Sequence, residues 1–242
     1  LRVHVRTLTL DPLMDARTDL PAHSPAHPLG HTFDSLLGLR ARTHADSVFL
    51  RFAAGDLTFA ETWQKSQALA AGLAAAGVTQ GDVVPVLLPN SPEFALMWFA
   101  LASLGAMACL VNTGFRGPAL AAALGRTGAS TLVVHRSLAS EVGDVVDALP
   151  CLRTVVDVGG DCSAAMPSPR HVPYDELAAT LGAPPASSHT PSDPLMVLFT
   201  SGSTGPSKGC AMRSFRSKPS STTRRRAPDP TTAITSSRSS SP

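Results

Sequence analysis

The residues best suited to chemistry stand together late in the chain. From Thr200 to Gly209 the sequence reads TSGSTGPSKG, directly after the apolar run LMVLFT at 195–200. Gly202, Gly205 and Gly209 allow backbone N–H groups to turn toward one point and form an anion nest. Thr200, Ser201, Ser203 and Thr204 add hydroxyl donors, and Lys208 adds a mobile positive charge. Phosphate oxygens want that density of donors. A Gly/Ser-rich stretch elsewhere would read as a flexible linker, but this one begins where a buried strand ends. In an open α/β sheet, the carboxyl end of a strand is where ligands bind. The spacing is not GxxxxGK[ST], because Ser207 precedes the lysine and Gly209 follows it.

A loop of this kind needs strands and helices to hold it, and the sequence from Phe33 onward is periodic. FDSLLGLRAR (33–42) has the spacing of an amphipathic helix, and SVFLRFAAGDLTF (47–59) that of two strands about a Gly-Asp turn. Thr58 and Glu61 form a capping-box signature ahead of a helix expected to end near Gly77. DVVPVLLPN (82–90) is a buried-strand pattern, and Ser91-Pro92-Glu93 opens the next helix. ACLVN, PALAAALGRTG, STLVVH, ASEVGDVVDALP and RTVVDV then alternate strand, helix, strand, helix, strand up to residue 158. Residues 159–173 and 182–194 read as loops around a short helix at YDELAAT, and LMVLFT is the last strand. The fold class is therefore α/β, a mostly parallel sheet with covering helices.

Net charge is +2 over 242 residues, but it divides unevenly. Residues 1–212 hold 13 basic against 17 acidic side chains, whereas 213–242 hold seven basic residues and one acid, Asp229. The body of the chain thus has no basic surplus to recruit nucleic acid. Cys109, Cys151, Cys162 and Cys210 are far apart, with no C-x-x-C pair, which suits a reducing cytoplasm. Cys109 and Cys151 stand in apolar runs and are expected to be buried. Residues 94–111 are free of charge over the length of a membrane span, but Gly105 divides them and no basic cluster flanks them. They read as a core helix feeding a buried strand, so no transmembrane segment is expected. Residues 1–32 form a loop-like segment. His23, His27 and His31 recur there every four residues, but Pro25 and Pro28 forbid the helix that would align them, and no metal site is assigned.

Residues 200–209 resemble, at every position, the phosphate loop of adenylate-forming (AMP-binding) enzymes, T-S-G-[ST]-T-G-x-[PS]-K-G. Two upstream segments are similar to the same superfamily: residues 57–106, with L-T-F-x-E, G-V-x-x-G-D and N-S-x-E-F, and ACLVNTGFRGPAL at 108–120. The latter is most like an acyl-CoA synthetase; a peptide-synthetase adenylation domain is the alternative. The resemblance spans residues 33–212 as a partial N-terminal domain. It implies an ATP-dependent acid–thiol ligase of the fatty-acid type, which joins a carboxylic acid to AMP and then to coenzyme A, with Mg²⁺ accompanying ATP. Thr200, Ser201, Gly202, Ser203, Thr204 and Gly205 would cradle the β- and γ-phosphates, and Lys208 would offset their charge.

After Met212 the match stops. Residues 213–242 hold nine Ser, five Thr and four Pro, with only Phe215 and Ile234 as large apolar side chains. They read as a disordered basic tail; a reading-frame shift near codon 212 and a genuine unstructured tail would look alike. The resemblance further implies a Mg²⁺-binding glutamate, an aspartate for the ribose and a C-terminal-domain lysine, none of which these residues supply. No residue here is assigned as catalytic. The chain as written is expected to be inactive alone, at most a non-catalytic nucleotide-binding module, and prone to aggregate through an exposed final strand.

Overall fold

The computed structural model describes residues 31–199 in full, and Thr200 and 208–213 through their backbone. The expectations for the first thirty residues, for 201–207 and for the tail from 214 lie outside the described residues.

The chain opens with α1 (Phe33–Thr43), capped by the Thr32 hydroxyl, which accepts from the Ser35 N–H. A small antiparallel hairpin follows, β1 (Val48–Phe52) and β2 (Gly55–Thr58). Helix α2 (Phe59–Ala75) starts at the expected capping box: the Glu61 N–H donates to the Thr58 hydroxyl at 3.2 Å, and the Thr58 N–H donates to the Glu61 carboxylate at 2.9 Å. Gly77, at φ 103°, turns the chain out of it. Then come β3 (Val83–Leu87), α3 (Pro92–Ser103) with Ser91 as its cap, β4 (Met107–Leu110), α4 (Gly117–Gly125) and β5 (Thr131–His135).

Two elements depart from the sequence reading here. ASEVGDVVDALP is not one helix: α5 is only Ala139–Gly143, flanked by 3-10 turns at Arg136–Leu138 and Val146–Ala148. A glycine and three β-branched valines give that stretch little intrinsic helicity. After β6 (Thr154–Val158), the supposed loop 159–173 contains β7 (Arg170–Pro173), a short edge strand pairing in parallel with β6. It is too short, and too close to prolines, to show a period. Helix α6 (Tyr174–Ala178) follows. The chain then returns as β8 (Pro194–Thr200) and β9 (Lys208–Arg213).

The main sheet has seven strands in the order β7-β6-β5-β3-β4-β8-β9, parallel throughout except for β9. Each face carries its own core. Leu69, Leu73, Met97, Leu101 and Val133 on one side belong to a cluster formed with α2, α3 and α6. Leu120, Leu132, Val134, Val142 and Val155 on the other belong to a cluster formed with α4 and α5. Fully buried side chains of this size each contribute about 1.5–3 kcal/mol relative to exposure. A polar tie joins the three N-terminal helices: the Gln67 amide donates to Asp34 at 3.1 Å and to the Ser103 hydroxyl at 2.9 Å, and that hydroxyl also bonds Asp34. Helices α2 and α6 approach so closely that a Cβ at Gly72 would lie 2.5 Å from the Leu177 carbonyl oxygen.

Among the described residues, no helix is long and apolar enough to cross a membrane. The charge-free stretch 94–111 is divided between α3 and β4, as its glycine suggested. Cys109 and Cys162 are buried, but Cys151 is exposed, contrary to expectation. It stands in the connection between α5 and β6, after the apolar residues have turned inward.

Candidate functional site

The run Leu195–Phe199 forms β8 because it is continuously apolar and slots beside β4, with Ala108 opposite Met196, Cys109 opposite Val197 and Leu110 opposite Leu198. The two strands are parallel, so Thr200 emerges at the same sheet edge as the carboxyl ends of β3, β4, β5 and β6. The chain comes back in antiparallel pairing, and Thr200 and Lys208 are direct Cα partners. The first residue and the lysine of the sequence-derived phosphate loop are thereby brought together. Ser201, Gly202, Ser203, Thr204 and Gly205 fall in the connection between them, outside the described residues. Strand β9 itself was not legible in the sequence, because KGCAMR has no alternation to announce it.

The neighbouring edge is built by residues 111–116, which follow β4. Asn112 accepts the Gly114 N–H at 2.8 Å, closing a tight turn. The Arg116 guanidinium is drawn back onto its own loop, donating to the Thr113 and Phe115 carbonyls at 2.6 and 2.7 Å, and it meets Glu141 at 3.4 Å. Glu141 is held below the usual carboxylate range by its own backbone N–H first, then by the Ser140 hydroxyl and by Arg116. Phe115 packs edge-on against Phe199, with ring centroids 6.4 Å apart. One aromatic contact therefore locks the N-T-G-F-R-G stretch to the residue just before Thr200. Two segments about ninety residues apart in sequence become one surface at the carboxyl edge.

Other chemistry-bearing groups lie elsewhere and are internally satisfied. Asp157, Asp161 and His171 hold their ligand atoms within 4.8 Å of one another, at the β6–β7 end of the sheet. His171 Nε2 donates to the Met166 carbonyl at 2.7 Å, and its Nδ1 faces the buried Asp157 carboxylate at 2.9 Å. Asp157 also accepts the Cys162 N–H, while Asp161 accepts the N–H and hydroxyl of Ser163. This is a clasp fastening the edge strand, and sequence spacing gave no hint of it. Burial pushes the Cys109 thiol up to about 11, and burial with Asp157 and Asp161 pushes Cys162 up to about 12, so neither is a nucleophile at neutral pH. A hollow beside Leu124, Leu132 and Cys151 measures only about 60 Å³, well below the several hundred Å³ of an ordinary ligand pocket.

This architecture is that of the N-terminal domain of adenylate-forming enzymes. The anthranilate CoA ligase AuaEII, solved in complex with anthranoyl-AMP, superposes on 78% of this chain and 36% of its own with a TM-score of 0.70 at 23% identity. The family described as AMP-binding enzyme matches residues 38–224, and the chain belongs to it. It is 33% identical to the medium/long-chain-fatty-acid–CoA ligase FadD6 of Mycobacterium tuberculosis, over 73% of this chain and 28% of that protein. It is 34% identical to the salicyl-AMP ligase / salicyl-S-ArCP synthetase of the same organism, over 73% of this chain and 32% of that one. The chain thus spans about a third of the length of the relatives it matches.

Proposed function

We propose that these residues are the phosphate-holding part of an ATP-dependent carboxylate-activating ligase. The observation that carries this reading is the pairing of Thr200 with Lys208 at the carboxyl edge of the sheet, at the two ends of a Gly/Ser/Thr-rich connection. In the whole reaction a carboxylate oxygen attacks the α-phosphorus of MgATP in line, pyrophosphate leaves, and an acyl-adenylate forms. A thiol then displaces AMP. The share of Thr200, Ser201, Gly202, Ser203, Thr204 and Gly205 is to hold the β- and γ-phosphates by N–H and hydroxyl donation. Lys208 offsets the charge that grows on the departing pyrophosphate.

Coenzyme A is the acceptor thiol favoured by the similarity to a fatty-acid–CoA ligase. The relative whose name includes an S-ArCP synthetase keeps a second acceptor in view, a carrier-protein thiol. Loading assays of a complete domain bearing this segment, with each thiol in turn, separate the two.

The test of the site is equilibrium binding of ATP to the 242-residue chain by calorimetry. Weak binding that Lys208→Ala reduces at least about tenfold supports the assignment; binding unchanged by that substitution overturns it. The chain alone is expected to release no pyrophosphate on addition of carboxylic acids, and release above background would overturn that expectation.

A further inference from the structure

The ladder between β4 and β8 stops short of the phosphate-holding connection. Its last pair is Leu110 with Leu198, where β4 ends. Strand β8 runs on for two residues, and among the described residues these pair only with the returning strand: Phe199 lies opposite Gly209 and Thr200 opposite Lys208. Both ends of the connection therefore overhang the β4 ladder. The chain that follows β4 supplies a side-chain contact where its ladder has stopped. Phe115 sets its ring edge-on to Phe199, and both rings pack against the cluster formed with α4 and α5.

Phe115 is itself held from behind. The Arg116 guanidinium meets the Thr113 carbonyl, the Phe115 carbonyl and the Glu141 carboxylate, through Nη1 for the first two and Nε for the third. The two carbonyl contacts fix the turn at 113–116, and the carboxylate ties that turn to α5. Arg116 is half-exposed, and an ion pair in that setting adds little to global stability. Its consequence is geometric: it sets where the Phe115 ring stands.

We propose that Phe115 and Arg116 are positioning residues for the phosphate loop, Phe115 bracing the overhang directly and Arg116 acting through it with Glu141 as anchor. The brace holds the backbone at Thr200 and Lys208 in place ahead of any phosphate, so that less ordering is left to be imposed by binding. Neither residue touches the ligand. This inference deepens the proposed function and rests on it for the ligand, a nucleoside triphosphate.

Two readouts on the full 242-residue chain test it. In the ligand-free protein, Phe115→Ala should speed amide exchange across 199–200 and 208–209 at least about fivefold while leaving 132–134 unchanged. In calorimetry the same substitution should weaken ATP binding at least about fivefold, and Phe115→Tyr, which keeps the ring, should hold it within about twofold of the unaltered chain. Where Phe115→Ala does not fold, Phe115→Leu takes its place in both assays. Glu141→Gln separates positioning from direct contact, because the two roles open to Arg116 predict opposite signs. Loss of the anchor should weaken ATP binding about threefold. Were Arg116 a phosphate ligand, removing the carboxylate that competes for it would strengthen binding. Strengthened or unchanged binding in Glu141→Gln overturns the inference. So does unchanged exchange across 199–200 and 208–209, or an ATP affinity that falls with Lys208→Ala and not with Phe115→Ala; that last result leaves the proposed function standing. Absence of ATP binding by the unaltered chain counts against the proposed function, and the brace is then decided by exchange alone.

Discussion

Strands β5 and β8 are both apolar and part of one sheet, β5 lying parallel to β3 and β6, and β8 parallel to β4 and antiparallel to β9. Thr131 to Val134 are all buried, while Leu195 to Phe199 are all half-exposed. The difference lies in the layers above and below. Helices α2 and α3 cover one face of the central strands and α4 and α5 the other. Beside β8, the face bearing Val197 and Phe199 meets the fringe of the second cluster and Phe115, and the face bearing Met196 and Leu198 meets no cluster. Burial is thus a property of the helix layer a strand receives. A strand's own residues state only that it seeks one.

The sharpest way to break this comparison is to truncate one leucine on each side of the divide. Leu101→Ala, in the covered half, should cost about 2–5 kcal/mol in chemical denaturation, because the cavity is closed in on all sides. Leu198→Ala should cost under about 1 kcal/mol, since water already reaches that side chain. Equal costs would mean that β8 is as well covered as β5. A second test asks whether the covered half owes its burial to close helix approach. Gly72→Val should push α6 away from α2 and cost about 1–3 kcal/mol in the same assay.

At the opposite edge of the sheet the β6–β7 clasp provides a third. His171→Ala leaves the buried Asp157 carboxylate short of a donor and should destabilise the fold by about 1–3 kcal/mol. Amide exchange at 170–173 should accelerate more than exchange in β5. The smallest effect concerns the start of α2. The Glu61 carboxyl is held below the usual range, first by the Thr58 N–H and then by its hydroxyl. A lowered carboxyl pKa stabilises the fold above its unfolded value, about 4.3, and that contribution disappears as pH falls through the folded value. Wild type should therefore exceed Glu61→Gln in stability at neutral pH. In an acid titration followed by circular dichroism, the gap should close below about pH 4. Thr58→Ala should cost about 1 kcal/mol on its own.

Much of the covered half was legible in the sequence alone. The capping box at Thr58, the Ser91-Pro92-Glu93 helix start and the valine runs of β3, β5 and β6 are local signals, carried by residues within a few positions of one another. The places where the reading failed share a different origin. Strands β7 and β9 exist because a neighbouring strand offers a ladder, and neither carries a period of its own. The helix expected over 139–150 broke because Gly143 and three valines left its outcome to packing. Cys151 was expected inside by the company it keeps in sequence, yet its backbone lies in an exposed connection.

The sequence by itself determined the family, through the ordered donors of residues 200–209, and the α/β alternation that places them after a strand. These depend on residue type and spacing, which a linear chain carries in full. Only the tertiary structure decided that Lys208 returns opposite Thr200, that Phe115 docks on Phe199, and that Met196 and Leu198 are only half-buried beside a finished core. The Phe115 contact and the missing layer over β8 concern residues far apart in the chain, and the Thr200–Lys208 pairing is placed by the docking of β8 on β4. Such contacts form only when strand register and helix layering bring the residues to the same place.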